Sequence, residues 1–151
     1  MHVILGLAAC FICNTPKNQA HASENWFNSR VLTSCHRMTP TNITASTLKA
    51  TRAFAARVAS AYPTERAILF GSRARGTAHD ESDADVAVIL KGAVGQFIQT
   101  KMAMNDIAYD ILLDTGIRIQ PLPVWEHEWA HPESYSNPHL LYNIAREGIT
   151  L

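Results

Sequence analysis

The stretch from Gly71 to Asp85, G-S-R-A-R-G-T-A-H-D-E-S-D-A-D, constrains this chain more than any other. An apolar run, Ala67-Ile68-Leu69-Phe70, leads into it, and a longer one, Val86-Ala87-Val88-Ile89-Leu90, leads out. A strand therefore delivers a Gly-Ser turn, the chain makes a short excursion, and a second strand opens on two aspartates one residue apart. Side chains alternate along a strand, so Asp83 and Asp85 point the same way. Two such carboxylates repel each other unless a cation lies between them. Hard divalent ions such as Mg²⁺ use that arrangement together with substrate phosphates. The Gly-Ser turn offers backbone N–H groups and a hydroxyl to phosphate oxygens. A phosphate cradle beside an acid pair implies nucleotide chemistry.

The 151 residues suit one domain, and 47% hydrophobic with 17% charged residues is ordinary for a globular chain. The net charge of zero gives no basic footprint for strong nucleic-acid binding. The charge is divided unevenly: residues 1–37 carry Lys17, Arg30 and Arg37 against Glu24, and the rest is slightly acidic. Cys10, Cys13 and Cys35 all precede Met38, so the body relies on neither disulfides nor thiol chemistry.

Residues 1–37 contain an apolar stretch, Val3 to Cys13, that invites a signal-peptide reading with Ala20-His21-Ala22 as cleavage site, or a lipoprotein reading at Leu7-Ala8-Ala9-Cys10. No Lys or Arg precedes that stretch, and it is too short to span a bilayer. The three cysteines with His36 lack zinc-finger spacing. The expected organisation is a disordered or mis-started extension over 1–37 and one domain over 38–151, in the cytoplasm and off the membrane. The sequon Asn42-Ile43-Thr44 matters only in a secreted protein.

Within the body, a first helix is expected over Thr44 to Tyr62, with Ser46 as N-cap and Leu48, Ala55, Val58 and Tyr62 as its apolar stripe. Strands are expected over Arg66–Phe70 and Asp83–Leu90, with a helical turn over 72–76 between them. The unbroken apolar run of the second strand implies burial on both faces. A second helix is expected over about Gln96–Leu113, closed by Gly116. A third strand is expected over Ile117–Val124, with Pro121 and Pro123 taking its later half to an edge or out of the sheet. A helical turn over Trp125–Trp129, a loop over Pro132–Pro138 and a last helix from Pro138 to Glu147 complete the order. The class is α/β: a small mixed sheet of about three to four strands flanked by helices.

Gly71-Ser72, ten residues, then Asp83-Ala84-Asp85 resembles the signature of the DNA polymerase beta-like nucleotidyltransferase superfamily. The fuller string Gly71-Ser72-Arg73-Ala74-Arg75-Gly76 with Ser82-Asp83-Ala84-Asp85 is similar to its minimal nucleotidyltransferase branch. The resemblance covers residues 46 to 124 and implies the nucleotidyltransferase fold. It also implies that Gly71 admits a nucleoside triphosphate, that Ser72 binds a terminal phosphate oxygen, and that Asp83 and Asp85 bind catalytic Mg²⁺. Arg73 and Arg75 are candidate phosphate ligands, with a solvated turn as the alternative. The implied reaction is attack of a hydroxyl on the α-phosphorus of a triphosphate, AMP from ATP being the expected case, with pyrophosphate leaving. Members of this branch pair with helical HEPN ribonuclease toxins and act as antitoxins, by transferring nucleotide to the toxin or by binding it.

The chain departs from that pattern at one point. Active members carry a third carboxylate on the adjacent strand, and Ile117 to Leu122 has no acid. Gln120 is the candidate for the substituted position, and a neutral amide is no general base. Asp106, Asp110 and Asp114 are the nearest acids in sequence, with Asp114 as a remote substitute. A rival motif, His127-Glu128-Trp129-Ala130-His131, has the zinc-protease pattern H-E-x-x-H. Pro132 biases His131 away from helical geometry, and the alternative is an amphipathic turn presenting Trp125 and Trp129.

Overall fold

The computed structural model describes residues 43–151, so the expectations about residues 1–37, Met38 and Asn42 lie outside the described residues. In chain order come α1 (Ala45–Ala61), β1 (Thr64–Phe70), α2 (Gly71–Arg75), β2 (Ala84–Leu90), α3 (Phe97–Thr115), β3 (Ile119–Trp125), α4 (Glu126–Ala130), a 3₁₀ turn (Pro132–Ser134), α5 (Pro138–Glu147) and β4 (Ile149–Thr150). The strands form one mixed sheet in the order β3-β2-β1-β4. β1 runs antiparallel to β2 and to β4, while β2 and β3 are parallel, joined by α3 as a crossover helix.

The apolar run of β2 is central and buried on both faces, as its composition implied. Val86, Val88 and Leu90 face a cluster with Phe54 and Val58 of α1 and Met104 and Ile111 of α3. Ala87 and Ile89 face the opposite cluster, with Trp129 of α4 and Leu141 and Ile144 of α5. Helices thus cover both sheet faces, and the strand ends that carry Gly71, Asp83 and Asp85 come together at one edge of the layers.

The expected stripe of α1 needs correction. Thr44, not Ser46, caps the helix, its hydroxyl accepting from the Thr47 N–H at 3.3 Å. The buried face is Thr47, Ala50, Thr51, Phe54 and Val58, a rotation away from Leu48 and Ala55. Threonine can lie inward here because its hydroxyl is satisfied: Thr51 Oγ1 donates to the Thr47 carbonyl at 2.8 Å. Hydrophobic periodicity does not register such a polar but satisfied face.

β3 stays in the sheet through both prolines. The Ala84 N–H donates to the Arg118 carbonyl at 2.8 Å, so even-numbered residues of this strand turn their backbone groups toward β2. Pro121 and Pro123 then turn their missing N–H groups to the open edge, where the absence costs nothing and hinders further strand addition. The short β4 was missed, being two residues that follow Gly148 directly. A Cβ on Gly148 would overlap the Ile144 carbonyl oxygen and Ile68 Cγ2, which the close return of α5 onto β1 leaves no room to avoid. Gly148→Ala is expected to cost about 1–3 kcal/mol by overpacking, measured by urea denaturation.

Candidate active site

β1 ends at Phe70, which pairs across the sheet with Asp85. The chain then turns sharply, because Gly71 has φ of 77°, a left-handed conformation that side chains disfavour. There is a second reason for glycine. A Cβ at this position would overlap Asp85 Oδ2, so the turn and the second carboxylate are in direct contact. α2 begins at once, with Ser72 half-exposed in its first turn, and ends at Gly76 with φ of 71°. The Ser72 carbonyl accepts the Thr77 N–H at 3.0 Å, which starts the chain back toward β2.

Asp83 lies one residue before β2, and Asp85 is the second residue of that strand. The Asp85 carboxyl is pushed above the usual carboxylate range, first by burial and then by the charge of Asp83, with Arg75 opposing. Crowded like charges of this kind call for a cation. Asp83, with 18% of its side chain exposed, already has partners: the guanidinium Nε of Arg118 donates to Oδ1 in a close ion pair, and Gln120 Nε2 donates to Oδ2 at 3.0 Å. Gln120 also stands opposite Asp85 in the parallel register of β2 and β3. The neutral amide of Gln120 therefore stands beside both acids. No group of three His, Cys, Asp or Glu side chains suited to a metal ion exists among the described residues.

The other candidates are divided by the structure. Arg75 is half-exposed near Asp85 and forms a loose ion pair with Glu147 of α5, at 3.7 Å. Arg73, a candidate for phosphate or for a solvated turn, is no free turn residue but a clamp within the chain. Its Nε donates to the Ser82 carbonyl at 2.8 Å, one terminal nitrogen to Thr47 Oγ1 at 2.9 Å and the other to the Asp80 carbonyl at 3.1 Å. The planar fork thereby ties the 77–83 loop to α1 and fixes the approach of Asp83. Arg73→Met is expected to lower stability by about 1–3 kcal/mol, since hydrogen bonds from a charged donor are among the stronger ones; thermal melting checks it. Asp114 is no remote substitute, for it holds Arg57 at 3.0 Å with Asp110 nearby at 3.9 Å, on an exposed face.

A groove of about 320 Å³ between α3 and β3 was not foreseen. Lys101, Asn105 and Tyr109 line one wall, and Arg118 and Gln120 the other, so it opens beside Asp83. The available signal was the Arg118–Gln120 alternation on an edge strand, but the opposite wall depends on the docking angle of α3.

The H-E-x-x-H pattern does not assemble a zinc site. α4 is a single turn, and His131 lies outside it at φ −126°, ψ 68°. Glu128, the base in that reading, accepts the Trp125 N–H at 3.0 Å and closes the start of the turn. His131 pairs with Glu133 at 3.3 Å. Trp125 and Trp129 are both buried, but Trp125 is the last residue of β3 and packs in the cluster under α1 and α3, whereas Trp129 packs in the opposite cluster with Leu141 and Ile144, so the expected amphipathic turn presenting both on one face does not form.

Residues 52–131, just over half of the chain, match the family described as nucleotidyltransferase domain, and the chain belongs to that family. A segment of 57 residues is 42% identical to an inferred protein adenylyltransferase of Methanocaldococcus jannaschii; it is 38% of this chain and 39% of that relative. The match thus spans well under half of the relative's length. The solved structure of an inferred nucleotidyltransferase from Sulfolobus solfataricus aligns over 73% of this chain and 89% of that one, at 20% identity and a TM-score of 0.42. Among the described residues, no helix is long and apolar enough to cross a membrane.

Proposed function

We propose that this protein transfers a nucleoside monophosphate from a nucleoside triphosphate, AMP from ATP in the first instance, to a hydroxyl of a partner protein. The observation that carries the reading is the contact between the Gly71 turn and Asp85, with Asp83 alongside. The turn thereby sets a phosphate-accessible backbone against two crowded carboxylates, one of which is held above the usual carboxylate range by burial and by the other.

Asp83 and Asp85 fit a divalent ion such as Mg²⁺ as a two-carboxylate site that leaves the remaining positions to phosphate and water. Bound there, the ion would neutralise charge on the triphosphate and on the departing pyrophosphate. The chain's own residues supply the rest. Gly71, without a side chain, lets the backbone approach the triphosphate, and the Ser72 hydroxyl donates to a terminal phosphate oxygen. Arg75 exchanges its loose contact with Glu147 for phosphate. The acceptor hydroxyl attacks the α-phosphorus in line, the new P–O bond forming as the bond to pyrophosphate breaks. Gln120 cannot take the hydroxyl proton, which passes to solvent, so the transfer is slow.

The protein acceptor is favoured by the name of the Methanocaldococcus relative, and AMP by the same name. The sequence resemblance to minimal nucleotidyltransferases extends the reading to a cytoplasmic antitoxin whose partner is a HEPN-type toxin. A neighbouring reading frame encoding a short helical protein with an Arg-x-x-x-x-His motif would support that pairing. A second reading, a non-catalytic antitoxin that neutralises by contact, draws on Arg118 and Gln120 filling the places around Asp83. Full neutralisation by an Asp83→Ala, Asp85→Ala double variant would favour it. The test of the main reading is equilibrium binding of a non-hydrolysable ATP analogue with Mg²⁺. The expected result is saturable binding, weakened at least about tenfold in the double variant; equal binding in both would reject the site.

A further inference from the structure

The cation nearest to Asp83 belongs to the protein. Arg118 donates to Asp83 Oδ1, on the carboxylate that a divalent ion would have to share with Asp85. The groups facing Asp83 are Asp85, the Gln120 amide and this guanidinium, so Arg118 supplies the positive charge there, while Arg75 acts on Asp85. The two partners differ in mobility: Arg118 is 66% exposed on an edge strand, whereas Asp83 is mostly covered. An exposed arginine gains little from an ion pair and can leave it at small cost. Its alternative position lies at the mouth of the α3–β3 groove, which it already lines with Lys101.

We infer that Arg118 is a built-in counter-ion that occupies Asp83 when no metal is bound and competes with a divalent ion for that carboxylate. The inference rests on the reading of Asp83 and Asp85 as a metal pair. A guanidinium and a divalent cation repel each other at this range, so metal entry requires Arg118 to swing away. The structure then has two local arrangements, one with Arg118 on Asp83 and one with Arg118 turned to the groove, and a ligand that binds only the second shifts the population toward it. Metal affinity is lower than the acid pair alone would give, by the fraction of time that Asp83 is free.

The test is Mn²⁺ binding by isothermal titration calorimetry to the full chain without nucleotide. Arg118→Met removes the charge at an exposed position, and thermal melting verifies its fold. The expected result is Mn²⁺ affinity about three- to fivefold tighter than in the unmodified protein, with Arg118→Lys close to the unmodified value because the charge remains. Loss of binding in an Asp83→Asn variant is expected as well. Unchanged or weaker affinity in Arg118→Met, with Asp83→Asn still losing Mn²⁺, would overturn the competition while leaving the metal pair in place. Absence of binding in every form, with Arg118→Met included, would remove the metal pair and this inference together.

Discussion

Asp85→Asn is expected to abolish nucleotidyl transfer and to make the protein more stable. A metal-ligating carboxylate contributes several kcal/mol to charge stabilisation in phosphoryl chemistry, so a rate loss of about a thousandfold or more is expected. The stability gain has a separate cause. Burial and the neighbouring Asp83 hold the folded pKa of Asp85 above its ordinary value of 3.8. The folded state therefore binds this proton more tightly than the unfolded state does. The resulting penalty is absent well below pH 3.8, grows as pH rises through the raised folded value, and is full at neutral pH. Asparagine removes the penalty, so the melting temperature of the variant should exceed that of the parent at pH 7. The difference should shrink as pH falls toward 4, which melting curves across that range can follow. A carboxylate that lowers stability yet stands against a glycine turn is the signature of a group kept for its chemistry.

Gln120→Glu is expected to act in the opposite direction on rate. Gln120 stands opposite Asp85 in the sheet and donates to Asp83 Oδ2 at 3.0 Å, so an isosteric carboxylate there would join the two acids. A positioned general base contributes typically about 10²–10⁴ to rate, and a newly installed one without evolved surroundings should fall at or below the bottom of that range, about ten- to a hundredfold. A third carboxylate beside Asp83 and Asp85 adds repulsion and removes the Gln120 hydrogen bond to Asp83, so the variant should also melt lower than the parent unless Mg²⁺ is added. Single-turnover transfer rates and melting with and without Mg²⁺ check both halves. A variant no faster than the parent would mean that proton removal is not what slows the reaction.

Local signals carried much of the fold. The apolar run of β2, the αL glycine Gly116 after α3, and Pro138 opening α5 are each visible within a few residues, and each appears where expected. The Gly-Ser turn and the acid pair were legible because their spacing is itself the strand-turn-strand geometry. What escaped depends on long-range partners. The clamping contacts of Arg73 were not legible because one of them needs Thr47, 26 residues away in sequence. The face of α1 was misjudged because a satisfied threonine counts as polar in any periodicity. The ion pair of Arg118 with Asp83 and the groove beside it arise only when β3 docks in parallel on β2 with α3 across it.

In the proposed reaction this site moves a nucleotidyl group, not a phosphoryl group. The most direct measurement incubates the protein and Mg²⁺ with ATP radiolabelled at the α-phosphate or at the γ-phosphate, with extract of its native cells as acceptor pool. Label from the α-position should appear in acid-precipitable protein and disappear in the Asp83→Ala, Asp85→Ala double variant, while γ-label stays in released pyrophosphate. Transfer of γ-label to protein, or α-label transfer that survives both aspartate substitutions, would contradict it.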